Sequence, residues 1–130
     1  MTSKFCSDIV KALETVISQS DTLIFNGSAW ASCAPVFYKK KHQEQKVKFM
    51  LPITYPFPKQ SIVAKSYVLM QRRSGINVIQ IIDEIIQKAS DVEVYSSFRV
   101  RDNKILSEAD HGVFFFLEQN GKLLIVNYWL

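Results

Sequence analysis

Hydrophobic positions change period several times along this chain, and each change marks an element. On a wheel of about 100° per residue, Ile9, Val10, Ala12, Leu13, Val16 and Ile17 fall within an arc of about 160°. Lys11, Glu14, Thr15, Ser18 and Gln19 fill the other side. Residues 77–91 repeat the pattern, with Val78, Ile79, Ile81, Ile82, Ile85 and Ile86 opposite Gln80, Asp83, Glu84, Gln87 and Lys88. Arcs this broad suit helices lying on a sheet better than a narrow coiled-coil seam. Ser7 or Asp8 can cap the first helix and Ser74 or Asn77 the second, and a Ser-Asp pair follows each. The two windows align at an offset of 69, Ile9 with Val78 and Leu13 with Ile82. A weak internal duplication and convergence on one amphipathic pattern both produce that match.

Elsewhere the period reads as two. Over 47–55, Val47, Phe49, Leu51, Ile53 and Tyr55 share a face, and Pro52 makes the strand an edge or a bulged one. Residues 61–73 read as a long strand, with Val63, Lys65, Tyr67 and Leu69 on one side. "TLIFNGS" after the first helix and "VEVYSSFRVR" after the second also start as strands, and Cys33 falls on an early strand. Asn120-Gly121 is a strong type I′ hairpin signal between two apolar flanks, Phe114 to Leu117 and Leu123 to Trp129. The sum is a single α+β domain over 1–130. Two amphipathic helices pack on a mainly antiparallel sheet, in the order helix, three or four strands, helix, three strands.

Length agrees with one domain, and 48% apolar and 22% charged residues suit a folded globular chain. Charge changes the picture more. The net charge is +4, yet residues 39–73 hold nine lysines or arginines against Glu44 alone, and the remainder holds seven basic and eleven acidic residues. Such asymmetry speaks about partners. Two cysteines, Cys6 and Cys33, form neither a disulfide framework nor a zinc site and read as buried thiols in a reducing compartment. Asp8 and Glu14 interrupt any signal-peptide core, and no apolar run approaches the roughly 20 residues of a membrane span. The expected location is cytoplasmic, with no membrane partner.

Candidate chemistry centres on "YKKKHQEQKVKFML". Lys39, Lys40, Lys41, His42, Lys46 and Lys48 read as a basic hairpin, joined by Arg72 and Arg73 from the end of the next strand. This cluster suits an acidic protein surface, or phosphates of nucleic acid, or only solvent. Phe37, Tyr38 and Phe49 alternate as core residues do, which leaves no stacking platform for bases. A third reading pairs His42 and His111 for metal-free RNA cleavage, with Tyr95, Arg99 and Arg101 on one strand stabilising the transition state. Glu108, Asp110 and His111 lack a distant fourth ligand, and the scattered glycines form no phosphate loop, so no metal or cofactor is expected. "SAWAS", with Ser28 and Ser32, lacks the glycines of a serine-hydrolase elbow. The C-terminal Tyr128, Trp129 and Leu130 read either as core closure or as an exposed aromatic anchor. The leading expectation is a non-enzymatic protein that covers an acidic site on a protein partner. By analogy of size and composition this is an inhibitor, immunity or antitoxin-like role, or that of a viral or mobile-element accessory protein. An unpaired edge strand would also offer a route to a homodimer.

Overall fold

The computed structural model describes residues 3–88, 91–117 and 123–129, with backbone alone for 3, 5, 114–117 and 123–129. Three parallel strands form its centre: β1 (Thr22–Phe25), β2 (Lys46–Leu51) and β3 (Asp91–Val94), in the order β1-β2-β3. Thr22 lies opposite Lys46, and Lys48 opposite Asp91. Parallel neighbours cannot be joined by a tight turn, so each pair needs a crossover. Helix α2 (Ala34–Lys41), entered through a 3-10 turn at Trp30–Cys33, joins β1 to β2. Helices α3 (Ile62–Ser74) and α4 (Val78–Gln87) join β2 to β3. Helix α1 (Ser3–Glu14) precedes the sheet and α5 (Phe98–Glu108) follows it. A separate antiparallel ribbon, β4 (His111–Leu117) with β5 (Leu123–Trp129), closes the chain.

The expected mainly antiparallel sheet is therefore corrected: the described residues form a small parallel sheet with five helices and a two-stranded ribbon. Helix α4 covers most of the second amphipathic window, and α1 covers the first only to Glu14, leaving Val16 and Ile17 beyond its end. Residues 61–73, expected as a strand, form α3. Nearly every other residue there is apolar or small, so a period of two can be drawn through it. The local chemistry is helical, however. The Ser61 side chain accepts from the Ala64 N–H at 3.1 Å, Gly75 ends the helix at φ 73°, and Val63, Tyr67 and Met70 are buried at spacings of four and three. "VEVYSSFRVR" is strand only to Val94; Ser97 then caps α5 by accepting from the Val100 N–H at 3.2 Å. The supposed basic hairpin is the last turn of α2, a short loop and the start of β2. Strand β2 stops before Pro52 and is central, so β1 and β3 are the edges. Cys33 ends the 3-10 turn and lies on no strand. The Asn120-Gly121 turn lies outside the described residues, as do the side chains of Tyr128 and Trp129 and all of Leu130.

Alternation along β2 defines two layers. Val47, Phe49 and Leu51 are buried with Phe25 against Leu13 of α1, Val36 of α2, Met70 of α3 and Ile82 of α4. The Phe25 and Phe49 rings meet edge-on, centroids 5.2 Å apart. Lys48 and the fully buried Met50 point to the other side, where α5 crosses β2. Among the described residues no helix is long and apolar enough to cross a membrane.

Just beyond β1, Gly27 is buried at φ +82°, and a Cβ there would lie 2.9 Å from Pro52 Cδ and 3.1 Å from Leu51 Cδ2. Gly75 has a similar φ but open space around it. Gly27→Ala should therefore cost about 2–4 kcal/mol, from left-handed strain plus overpacking. Gly75→Ala should cost about 1 kcal/mol, from strain alone. Urea unfolding of both variants checks this, and equal losses would contradict the close approach of the two loops.

Candidate functional site

Helix α2 delivers three lysines, Lys39, Lys40 and Lys41, in its last turn, where cations meet the negative end of the helix dipole. The His42 N–H donates to the Tyr38 carbonyl at 2.8 Å and ends the helix. The loop back to β2 is tied down by Gln45, only 3% exposed, whose Nε2 donates to the Asp21 carbonyl at 2.6 Å and the Ser18 carbonyl at 3.2 Å. Lys39 Nζ folds over the same loop, donating to the carbonyls of Gln43 and Gln45. Parallel pairing then sets the starts of all three strands side by side. Between them and the α2 loop lies a cleft of about 300 Å³, lined by Lys39, Lys46, Lys48 and Lys88 against two carboxylates, Glu44 and Asp91.

The basic residues of the central segment are not equivalent. Lys41 pairs with Glu14 at 2.9 Å, and that ammonium holds the Glu14 carboxyl below its ordinary range. His42 stacks on Tyr38 with centroids 4.3 Å apart, its Nε2 3.7 Å from Glu14. Lys48, its side chain 17% exposed, sits between Glu108 at 2.9 Å and Glu93 at 3.0 Å. Hydrogen bonds to these two carboxylates, Glu108 first, raise its ammonium above the usual lysine range. The side chains of Lys40 and Lys46 are exposed and make no hydrogen bond or ion pair among the described residues. Arg72 and Arg73 are not brought to this cleft. They end α3, and the Arg73 guanidinium lies 5.7 Å over the Trp30 ring, past the opposite end of β1.

No family model, curated protein or solved structure matches this chain.

The other candidates are placed as follows. His42 ends α2, and His111 opens β4 opposite Trp129. Tyr95, Arg99 and Arg101 do not share a strand. Tyr95 follows β3 and donates its hydroxyl to Glu93, which pushes that hydroxyl up to about 12. Arg99 is exposed on α5. Arg101 is buried at 4% exposure, donating from Nη1 to the Asn26 carbonyl at 2.5 Å and from Nε and Nη2 to Asp102. Its donors are engaged within the fold, away from any arriving phosphate. Glu108 is directed at Lys48 and Lys104, and no group of three or more His, Cys, Asp or Glu among the described residues could hold a metal ion. The buried Cys33 Sγ donates to the Ser28 carbonyl at 3.3 Å, and burial pushes the thiol up to about 12, which leaves it inert at neutral pH.

Lys88 and Asp91 escape a reading of the sequence alone. Lys88 lies on the polar side of an amphipathic helix, and only the parallel register Lys48↔Asp91 carries the start of β3 to the cleft.

The carboxylates of Glu14 and Glu93 are both held low, by Lys41 for the first and by the Tyr95 hydroxyl and then Lys48 for the second. Their contribution to stability is thus fully present above the ordinary glutamate value near ~4.3 and is lost as pH falls through the folded values. The urea midpoint of the wild type should drop between about pH 5 and pH 3, and the Glu14→Gln/Glu93→Gln variant should show a flatter decline over the same window. Identical slopes would remove these two groups from the acid response.

Proposed function

We propose that this chain is a non-enzymatic binding protein that docks the amino edge of its parallel sheet on an acidic site of a protein partner and covers it. The observation that carries this reading is the cleft itself, where Lys46 and Lys88 are exposed without a carboxylate ion pair among the described residues, with Lys40 exposed on the adjoining turn. Charges placed this way steer encounter and select the partner's sign.

Two features favour a protein over nucleic acid. Phe37, Tyr38 and Phe49, the aromatic residues of this segment, are buried at 6%, 5% and 0% exposure, so no ring is presented for base stacking. Glu44 and Asp91 in the cleft repel a continuous phosphate backbone, whereas discrete carboxylates of a protein can sit among the lysines while those acids accept from donors beside them. Cys6 and Cys33 form no disulfide, which suits a reducing, cytoplasmic setting. Occlusion of a partner's acidic site is the mode of action of an inhibitor or immunity-type protein, and no reactive group of this cleft requires turnover.

Reversal of Lys39 or Lys41 would strip the α2 loop or the Glu14 pair of a partner and confuse folding with binding. The cleaner variant is Lys40→Glu/Lys46→Glu/Lys88→Glu. Its probes are a glutamate-rich peptide and a single-stranded RNA oligonucleotide of equal charge, titrated by fluorescence anisotropy. The wild type should bind the peptide more tightly than the RNA, and the variant should lose about tenfold in peptide affinity with its urea midpoint unchanged. Tighter RNA binding with a steep salt dependence would replace the protein partner by nucleic acid. A salt-insensitive dimer in sedimentation, with no peptide binding, would move the interface to the outer edge of β3.

A further inference from the structure

Helix α3 carries a second, separate surface. On a wheel of about 100° per residue with Ile62 at zero, Leu69 lies near −20°, Arg73 near +20°, Ser66 near +40°, Lys65 near −60°, Arg72 near −80° and Val68 near −120°. The buried Val63, Tyr67 and Met70 lie between about +80° and +140°, so the first group is the outward face. Its apolar members are open to solvent, Ile62 at 75%, Val68 at 50% and Leu69 at 41%. They are three of the seven large hydrophobic residues exposed among the described residues. The helix Ile62–Ser74 contains three cations and no carboxylate.

We infer that this face is a docking strip for an acidic amphipathic helix of a partner protein. Three rows with a seven-residue repeat run along it: Ile62 and Leu69, Lys65 and Arg72, Ser66 and Arg73. An apolar row flanked on both sides by cations is the complement of a helix whose own apolar row is flanked by glutamates or aspartates. The strip spans roughly 16 Å, about three helical turns, enough for two apolar layers. Trp30 at the Arg73 end adds a half-buried aromatic wall held by the guanidinium over its ring. Its backbone sits at φ 63°, a left-handed conformation unusual for such a residue, and its N–H donates to Met70 Sδ at 3.4 Å.

An anionic bilayer would meet the same mixture of charge and apolar surface, but the geometry speaks for protein. Arg73 stands within the apolar arc, some 20° from Ile62, where insertion would carry its charge toward acyl chains. A partner carboxylate at the same level pairs with it directly. Three aliphatic residues interleaved with cations also make a narrow wedge compared with the broad aromatic-rich face of interfacial helices.

This surface is independent of the amino-edge cleft, and its test keeps the two apart. The probe is a synthetic helix-forming peptide with a leucine heptad seam flanked by glutamates. Its controls are the same peptide with lysines for the glutamates and vesicles of mixed phosphatidylserine and phosphatidylcholine. Measured in the Lys40→Glu/Lys46→Glu/Lys88→Glu background, where the cleft no longer competes for acidic peptides, the glutamate peptide should bind one-to-one by fluorescence anisotropy. Ile62→Ser/Leu69→Ser and Lys65→Glu/Arg72→Glu, both made at exposed positions that leave the Arg73–Trp30 contact in place, should each weaken it by about tenfold. Equal binding of the lysine peptide, indifference to both α3 variants, or vesicle binding in place of peptide binding would each overturn the assignment.

Discussion

The parallel pairing of β2 on both of its edges is the constraint from which the rest of this structure follows. A central strand with parallel neighbours is joined to them by crossovers, here α2 between β1 and β2, and α3 with α4 between β2 and β3. Those crossovers, together with α1, bury Val47, Phe49 and Leu51, and they draw the starts of all three strands to one edge. The lysine-lined cleft is a by-product of that alignment: Thr22 and Lys46 begin β1 and β2 opposite each other, and Asp91 begins β3 two residues along, opposite Lys48.

Placing Lys48 on the central strand has its own consequence. A mostly buried ammonium without partners is costly, and here Glu93 from the neighbouring strand and Glu108 from α5 supply them. At the other end of α5, Arg101 reaches the Asn26 carbonyl beyond β1. Helix α5 is thus fixed across the second face of the sheet by polar contacts at both ends, with little apolar burial of its own. Phe98, Val100 and Leu106 accordingly remain exposed on it. The two layers differ in kind: one is a hydrophobic core, the other a helix strapped on by charge.

What was legible in the sequence divides along the same line. Helices α1 and α4 bury one broad apolar arc, so their periodicity is strong and tertiary context only reinforces it. Helix α3 exposes Ile62, Val68 and Leu69, which blurs its buried stripe into an apparent alternation. Its caps carried the better signal: Ser61 before it and Gly75 after it mark a helix from end to end. Helix α5 is held by ion pairs more than by an apolar face, so no period announces it, although Ser97 marks its start. The short α2 places Phe37 and Tyr38 in the core and three lysines in the next three positions, a run that reads equally well as a strand and a turn. Of the basic segment, the cluster of lysines was evident from composition, but which of them are engaged internally depends on Glu14, Glu93 and Glu108, residues distant in sequence.

Charge counted along a chain is therefore a poor guide to potential at its surface. The nine cations of residues 39–73 form one excess in sequence, yet folding divides them. Lys39, Lys41 and Lys48 are turned to carbonyls and carboxylates, Lys40 and Lys46 have no ion pair among the described residues and stay exposed at the amino edge, Lys59 is exposed in the loop before α3, and Lys65, Arg72 and Arg73 line α3. At physiological ionic strength the screening length is about 8 Å, so on the proposed reading the cleft and the α3 face would act on a partner as two contacts. Each patch is small, and neither would bind tightly alone. Simultaneous engagement of both by one acidic partner would multiply their effects, because the second contact forms at a high effective concentration once the first is made. On this view a modest net charge of +4 is compatible with selective binding, since selection rests on the spacing of two cationic surfaces and not on their total.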